Sequence, residues 1–493
     1  MRKGNAIFYS AILLTGANFL LRLSAMSFQV YLSSRIGPAG IGLLQLILSV
    51  TALSFTVGSA GVRTCAMYLS AEELGRNRPK RIYGILNGCY RYAALFGGLT
   101  AAALWYAAPW LASEWIGSPA AVPALRFYAL FLPVKCLHGV LTGYFTAAER
   151  VGGMVLTAFL EQICSMLVTF LLLACWAGAD TGRAAFSVVA GSCAATVLAY
   201  FVLSALRRKK LPGRRLAGKA PYRRIFQISL PLALADTLRS GLNTIEDLII
   251  PRRLSLFSGT VDAMADYGII RGMVFPVLMF PAAILLSLAE LLVPEFSRCA
   301  ARGSTNRVRY LAKQGLRVSL LFGLCAASLL FTAADALGER LYQNEQVGLL
   351  LRLYAPFVPM LYMDSIVDAM CKGLGQQNAN ARYNTLTSFL DVVFLWALLP
   401  RLGLNGYYFS FAVSHIVNFA LSLRRLVLTS GIRLELPLRA VLCTVGACAC
   451  AALLPAGGIR ILVCLLVLLF SWLLAGVVSR DDAVWLRTLI GGR

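Results

Sequence analysis

Runs of eighteen or more mostly apolar residues recur from one end of this chain to the other. Each is long enough to cross a hydrocarbon layer of roughly 30 Å at about 1.5 Å per helical residue. In lipid, every backbone N–H and C=O must find an internal partner, so only helices or closed barrels span. A barrel would show short segments of alternating polarity. The runs here are long, uniformly apolar and rich in Leu and Ala, so the spans are helices. Composition agrees: 14% of the residues are charged and 59% hydrophobic, whereas a soluble domain is nearer one quarter charged. The expected fold is an all-α, multi-pass membrane protein.

Fourteen spans are predicted. The first six cover about 7–31, 40–63, 83–110, 123–147, 152–177 and 184–206. The next six cover about 224–250, 266–293, 311–334, 347–371, 381–400 and 404–424, and two more lie near 438–455 and 459–479. Met1, Arg2 and Lys3 precede an apolar run, but that run holds Asn18 and Arg22 and continues to Tyr31, so it reads as a retained first span rather than a signal peptide.

The net charge of +24 sits in short loops between these spans. That places it against an anionic inner leaflet and argues against nucleic acid as a partner. Segment 207–224, RRKKLPGRRLAGKAPYRR, holds nine Arg and Lys residues. The loops AEELGRNRPKRI and RCAARGSTNRVRYLAK are also basic, whereas ASEWIGSPAA has neither Lys nor Arg. Alternation then puts both termini in the cytoplasm of a bacterial inner membrane. Arg252 and Arg253 fall on the outer side and break the pattern.

The basic segment also divides the chain. Residues 1–206 read as a six-helix lobe, 207–223 as a cytoplasmic linker, 224–430 as a second six-helix lobe, and 431–493 as two added helices with a short tail. Spans one and seven each carry a polar stripe, and each following span opens on glycine. Parallel halves of this kind are a recurrent transporter plan.

The polar stripe of span seven, DTLRSGLNTIEDLIIPRRL, has Asp236, Ser240, Asn243 and Asp247 at helical spacing, with Arg239 and Glu246 beside them. A charge at mid-bilayer costs at least about 2.5–3.5 kcal/mol, so this face meets a cavity or other helices. Cavity lining and pure scaffolding both fit. Arg22, Arg91 and Lys135 lie deep in spans one, three and four, with Glu161 in span five. This excess of bases favours an anionic cargo, because guanidinium grips phosphate as a planar fork and ammonium as a point charge. Arg271 stands at the outer end of span eight, before Pro276 and Pro281, which can kink it. Asp364, Asp368 and Lys372 follow in four-residue steps; Asp368 and Lys372 can pair locally, which leaves Asp364 as the better site for a coupling ion.

Other chemistry finds little support. The 13 cysteines are scattered without a C-x-x-C motif and read as small packing residues, and His138 and His415 are too few for a conventional zinc site. No G-x-x-x-x-G-K-[ST] occurs, which argues against direct ATP coupling. No cofactor is expected, and a non-enzyme fits the dispersed acids.

Four stretches carry a family resemblance: RIGPAGIGLLQLILS, SAGVRTCAMYLSAEELGRNRPKRI, TIEDLIIPRRL and YGIIRGMVFPVLMFPAAILLSLAELLVPEFSR. The chain resembles the stage V sporulation protein B family, in the polysaccharide-transporter branch of the multidrug/oligosaccharidyl-lipid/polysaccharide (MOP) exporter superfamily. The resemblance covers most of the chain, with the C-terminal 60 residues the least distinctive, and implies a MATE-like two-lobe bundle with two further helices. It implies a flippase or exporter for a polyprenyl-diphosphate-linked saccharide or peptidoglycan precursor, in spore cortex or cell-wall synthesis, alongside wall-building proteins. It points to Arg22 as a cavity base and to Asp247, Arg252 and Arg253 as the acidic-then-basic end of span seven. Arg271 departs from the small or polar residue usual there. The substrate-binding set is then Arg22, Arg91, Lys135, Arg239 and Arg271, with Asp236, Asn243, Glu246, Asp247 and Asp364 lining the cavity or coupling to H+ or Na+. A cation-coupled drug exporter of the same fold and a non-transporting scaffold remain as alternatives.

Overall fold

The computed structural model describes residues 2–76, 79–148, 151–178, 180–210, 221–434, 437–455 and 457–478. Side chains of a few further residues at these edges and in the first helix, Asn18 among them, lie outside the described set, as do most of the basic linker and the tail from 479. Among the described residues the chain is helical, with no strand.

The first helices in chain order are α1 (Arg2–Ser59), α2 (Val62–Gly75), α3 (Pro79–Trp110), α4 (Val122–Ala147), α5 (Val151–Leu172), α6 (Thr181–Lys210), α7 (Tyr222–Ser258) and α8 (Thr260–Gly268). There follow α9 (Phe275–Met279), α10 (Ala282–Ala301), α11 (Thr305–Leu341), α12 (Glu345–Tyr354), α13 (Val358–Gly373), α14 (Gln377–Leu402), α15 (Leu404–Ser430), α16 (Leu438–Ala452) and α17 (Gly458–Leu474). Helix covers each of the fourteen expected spans. By length and apolarity alone, nine helices among the described residues qualify as crossing a membrane, or ten with the bent pair through Pro281.

The differences have physical causes. The apolar stretch Phe19–Ser59 is 41 residues long, about 60 Å of helix, twice the hydrocarbon thickness. Gly37 divides it with φ 68° and ψ 177°, a conformation that favours a residue without Cβ. Helix α7 is not among the qualifying helices; it carries Asp236, Arg239, Glu246 and Asp247, with Arg252 and Arg253 after them. Helices α16 and α17, at 15 and 17 residues, are short. The expected basic loop after span two begins instead as α2, entered through Ala60 and Gly61 with positive φ. Its buried positions Val62, Cys65, Ala66, Leu69, Ser70 and Glu73 form one helical stripe, the pattern of a packed amphipathic helix.

Contacts gather the chain into two compact units: a mid-chain unit, Arg35–Gly268, and a terminal unit, Met1–Ser34 with Ile269–Arg493. In the mid-chain unit the glycines of two quoted motifs meet. A Cβ on Gly42 would lie 2.2 Å from the Met264 carbonyl oxygen, and one on Gly268 would lie 2.0 Å from that of Pro38. Any side chain there would force the helices apart. In the terminal unit, α16 and α17 pack on α11 through Leu324, Ala440, Ala447, Ala451, Cys464, Leu468 and Trp472. The small residues of TVGACACAA permit the close approach that drives helix association in lipid.

Candidate functional site

The terminal unit contains a cavity of about 590 Å³ whose walls come from three helices. Helix α1 supplies Leu21, Arg22 and Ala25; α10 supplies Ala283, Leu286, Ser287, Ala289, Glu290 and Val293; α13 supplies Ser365, Asp368, Ala369 and Lys372. The α10 and α13 residues repeat at three- and four-residue steps, so each helix turns one face inward. The volume is in the range of small-molecule sites.

Two bases and two acids line this space, and their formal charges cancel. They are not equally engaged. Lys372 Nζ lies 2.6 Å from Asp368 Oδ2, one turn away, and Asn380 Nδ2 donates to Asp368 Oδ1 at 2.9 Å. Arg22 has no hydrogen-bond or ion-pair partner among the described residues. The residue is exposed, at the wall of an open cavity.

The mid-chain unit has its own polar pocket, about 350 Å³, lined by Thr51, Phe55, Tyr128, Lys135, His138, Glu161, Ser192 and Thr196 among others. Here the charges are tied together. Lys135 Nζ donates to Ser192 Oγ at 3.0 Å and to Thr196 Oγ1 at 3.1 Å. The Thr196 hydroxyl lies 3.2 Å from Glu161 Oε1. Lys135 also sits 5.3 Å from the centre of the Tyr128 ring. Base and acid are thus joined through one hydroxyl.

The polar stretch of α7 divides along its length. Ser49 donates to Asp247 Oδ2 at 2.7 Å, and Thr244 donates to the Ser49 carbonyl at 3.2 Å, so this end is fixed to the second half of α1. Glu246 is half-buried, whereas Asp236, Arg239 and Asn243 are exposed. Arg252 donates to the Glu114 carbonyl at 3.2 Å. The acceptor lies in the π-helical turn Leu111–Ile116, which gives this arginine a partner far away in sequence. Arg91 is exposed and donates to the Tyr222 hydroxyl at 3.1 Å rather than pairing with Glu161.

In the terminal unit, Arg271 sits in the π-helical turn Ile269–Val274, 5.9 Å from the Phe275 ring centre. Asn418 donates to Asp364 at 3.3 Å. Neither Arg271 nor Asp364 lines the Arg22 cavity. The named residues therefore form separate groups: Arg22, Arg271 and Asp364 in the terminal unit, the others in the mid-chain unit.

Several participants escape a sequence reading. Ser192 and Thr196 carry no signal beyond a hydroxyl on an apolar helix. Asp391 is buried and accepts from Ser410 at 2.5 Å and Ser414 at 3.0 Å; its signal was simply an acid inside a predicted span. Among the described residues no cluster of three or more His, Cys, Asp or Glu could hold a metal ion.

Residues 8–300 match the family model described as polysaccharide biosynthesis protein. Stage V sporulation protein B of Bacillus subtilis (strain 168) is 23% identical over 408 residues, covering 80% of this chain and 78% of the relative. An inward-facing multidrug resistance MATE family transporter of the MOP superfamily superposes with a TM-score of 0.66 at 12% identity, over 85% of this chain and 99% of that one. The lipid II flippase MurJ, in an inward closed conformation, superposes at 0.64 and 12% identity, over 96% of this chain and all of that one. The family match covers more than half of the chain, and the two superpositions agree on the architecture. The chain belongs to the polysaccharide biosynthesis protein family and has the helical fold of the MOP-superfamily transporters.

Proposed function

We propose that the protein translocates a lipid-linked saccharide with a diphosphate head group across a bacterial cytoplasmic membrane, by alternating access of two lobes. The observation that carries this reading is Arg22, a guanidinium at the wall of an open cavity with no hydrogen-bond or ion-pair partner among the described residues. A planar fork of donors matches a phosphoryl group, and a fixed cation offsets part of the cost of taking a dianion through a low-dielectric layer. The relatives named for sporulation and for lipid II support a wall precursor as cargo. Arg91, Lys135, Arg239 and Arg271 are the further substrate-binding residues of this proposal. Asp236, Asn243, Glu246, Asp247 and Asp364 are its cavity-lining or ion-coupling residues, with H+ or Na+ as the ion. The cytoplasmic termini, the two six-helix lobes as sequence repeats, and association with wall-synthesis proteins belong to the same reading.

One observation favours a second reading. Glu290 lines the same cavity and, like Arg22, has no partner among the described residues, and a free carboxylate suits a cationic cargo of the kind a multidrug exporter moves. Reconstituted vesicles separate the two. Exposure of lipid II and of a simpler lipid-diphosphate sugar on the far leaflet is followed beside efflux of an amphipathic cation. The flippase reading expects a diphosphate lipid to move and the cation to stay. Cation efflux with neither lipid moving sinks it.

A further inference from the structure

We propose that Arg352 and Arg460 form a binding site for a lipid phosphate group, at the membrane end where α11 finishes and α12 and α17 begin. This inference does not depend on the transport reading or on Arg22. It starts from a carboxylate that serves two cations. Arg352 Nη2 pairs with Asp335 Oδ2, and Arg460 Nη1 lies 3.6 Å from the same oxygen. The formal sum of the three groups is one positive charge.

The arginines are held in place rather than waving in solvent. Arg460 is only 9% exposed. The Arg352 guanidinium lies 5.8 Å from the centre of the Phe331 ring. In both arginines Nε is buried and has no hydrogen-bond partner among the described residues. A buried guanidinium that lacks its full set of acceptors is costly. One shared oxygen leaves that need largely unmet.

The depth of the cluster selects the ligand. Asp335 stands six residues before the last residue of α11, Arg352 seven after the first of α12, and Arg460 two after the first of α17. At about 1.5 Å per residue these are offsets of roughly 3–10 Å from the helix ends. With the expected spans ending at 334 and starting at 347 and 459, this level belongs to the head groups, where lipid phosphates lie. On the orientation given by the basic loops this is the outer face, where Lys and Arg are disfavoured. Two arginines there call for a local reason. A phosphoryl group supplies it, since its oxygens can take a fork from each guanidinium and neutralise the remaining charge. The shared chemistry is found in an anionic phospholipid head group and in a polyprenyl diphosphate.

The competing explanation is that the triad only pins α17 to α11 and α12. The two ideas differ at Asp335. If the site takes phosphate, Asp335 competes with the ligand, and Asp335→Asn keeps or tightens lipid binding. If the triad is a pin, Asp335→Asn loosens it as removal of the arginines does. The experiment is native mass spectrometry of the full chain in detergent, titrated separately with phosphatidylglycerol and with a polyprenyl diphosphate. We expect the Arg352→Gln/Arg460→Gln variant to bind at least one of the two about tenfold more weakly or worse, with Asp335→Asn no weaker than wild type. Loss confined to phosphatidylglycerol identifies the phospholipid head group, and loss confined to the diphosphate identifies the carrier lipid. Equal binding of both lipids by wild type and double variant overturns the proposal, as does equal loss in Asp335→Asn. Arg352→Gln alone, at the more exposed arginine, serves if the double variant does not fold.

Discussion

The two polar cavities each hold bases and acids and engage their bases differently. In the mid-chain pocket, Lys135 has two hydroxyl acceptors and a ring face, and reaches Glu161 through Thr196. In the terminal cavity, Lys372 is tied to Asp368 while Arg22 has no partner among the described residues. A buried charge is tolerated when its hydrogen bonds are made inside the protein. It becomes available to a ligand when they are not. The count of charges in a span therefore says less about function than their engagement, and the proposal places the cargo at Arg22 because it has no partner among the described residues.

The largest expected effect breaks the engaged network. Lys135→Met leaves Glu161 facing a pocket with no cation. It should destabilise the protein by about 3 kcal/mol, the low end for one member of a buried charge pair, because the pocket is open. Thermal unfolding in detergent measures this, and Lys135→Met/Glu161→Gln should regain most of the loss. If the single variant is as stable as wild type and only transport falls, Lys135 acts on the cargo alone and its hydroxyl network adds no stability.

The next effect sharpens the same contrast from the other side. Arg22→Ala should leave stability within about 0.5 kcal/mol, as for a surface substitution, and lower transport about tenfold or more, equivalent to about 1.4 kcal/mol. A smaller effect is expected at α7. Asp247→Leu removes the acceptor for Ser49 and should cost about 1 kcal/mol. Asp247→Asn, which still accepts, should cost less; equal losses in the same unfolding assay would remove the hydrogen bond as the cause.

The smallest effect lies outside the spans. The Arg224 guanidinium, 2.7 Å from Glu72, holds that carboxyl below the ordinary glutamate range. A depressed folded-state pKa gives stability that is complete above the unfolded pKa of about 4.5 and lost as pH falls through the folded value. Unfolding midpoints between pH 7 and pH 3 should therefore fall slightly less for Glu72→Gln than for wild type. Parallel curves would show that the pair contributes nothing measurable, the usual result for exposed ion pairs.

What the sequence made legible was local. Hydrophobic run length located helix at all fourteen spans, because burying backbone in lipid leaves no alternative. Four-residue steps anticipated the Asp368–Lys372 pair. Periodicity also put Asp236, Asn243 and Asp247 on one face, but could not tell that Ser49 would hold Asp247 while the other two stay exposed. Grouping into units was equally hidden. Spans one and seven each pack with residues far away in sequence: Gln29 donates to the Gly272 carbonyl at 3.0 Å, and α7 docks on residues near Ser49. Tertiary partners chosen across hundreds of residues leave no periodic trace. The motif glycines did carry a signal, since Gly42 and Gly268 mark backbones in contact, yet no spacing rule says which glycine meets which strip of helix.

The most direct test compares Arg22→Ala with Lys135→Ala in vesicles, following exposure of a polyprenyl-diphosphate sugar on the far leaflet and normalising each rate to the amount of folded protein. The account predicts that Arg22→Ala remains folded and transports about tenfold more slowly or worse, whereas Lys135→Ala loses folded protein in addition to transport. Wild-type transport by Arg22→Ala would contradict the central claim that the Arg22 guanidinium in the terminal cavity engages the cargo.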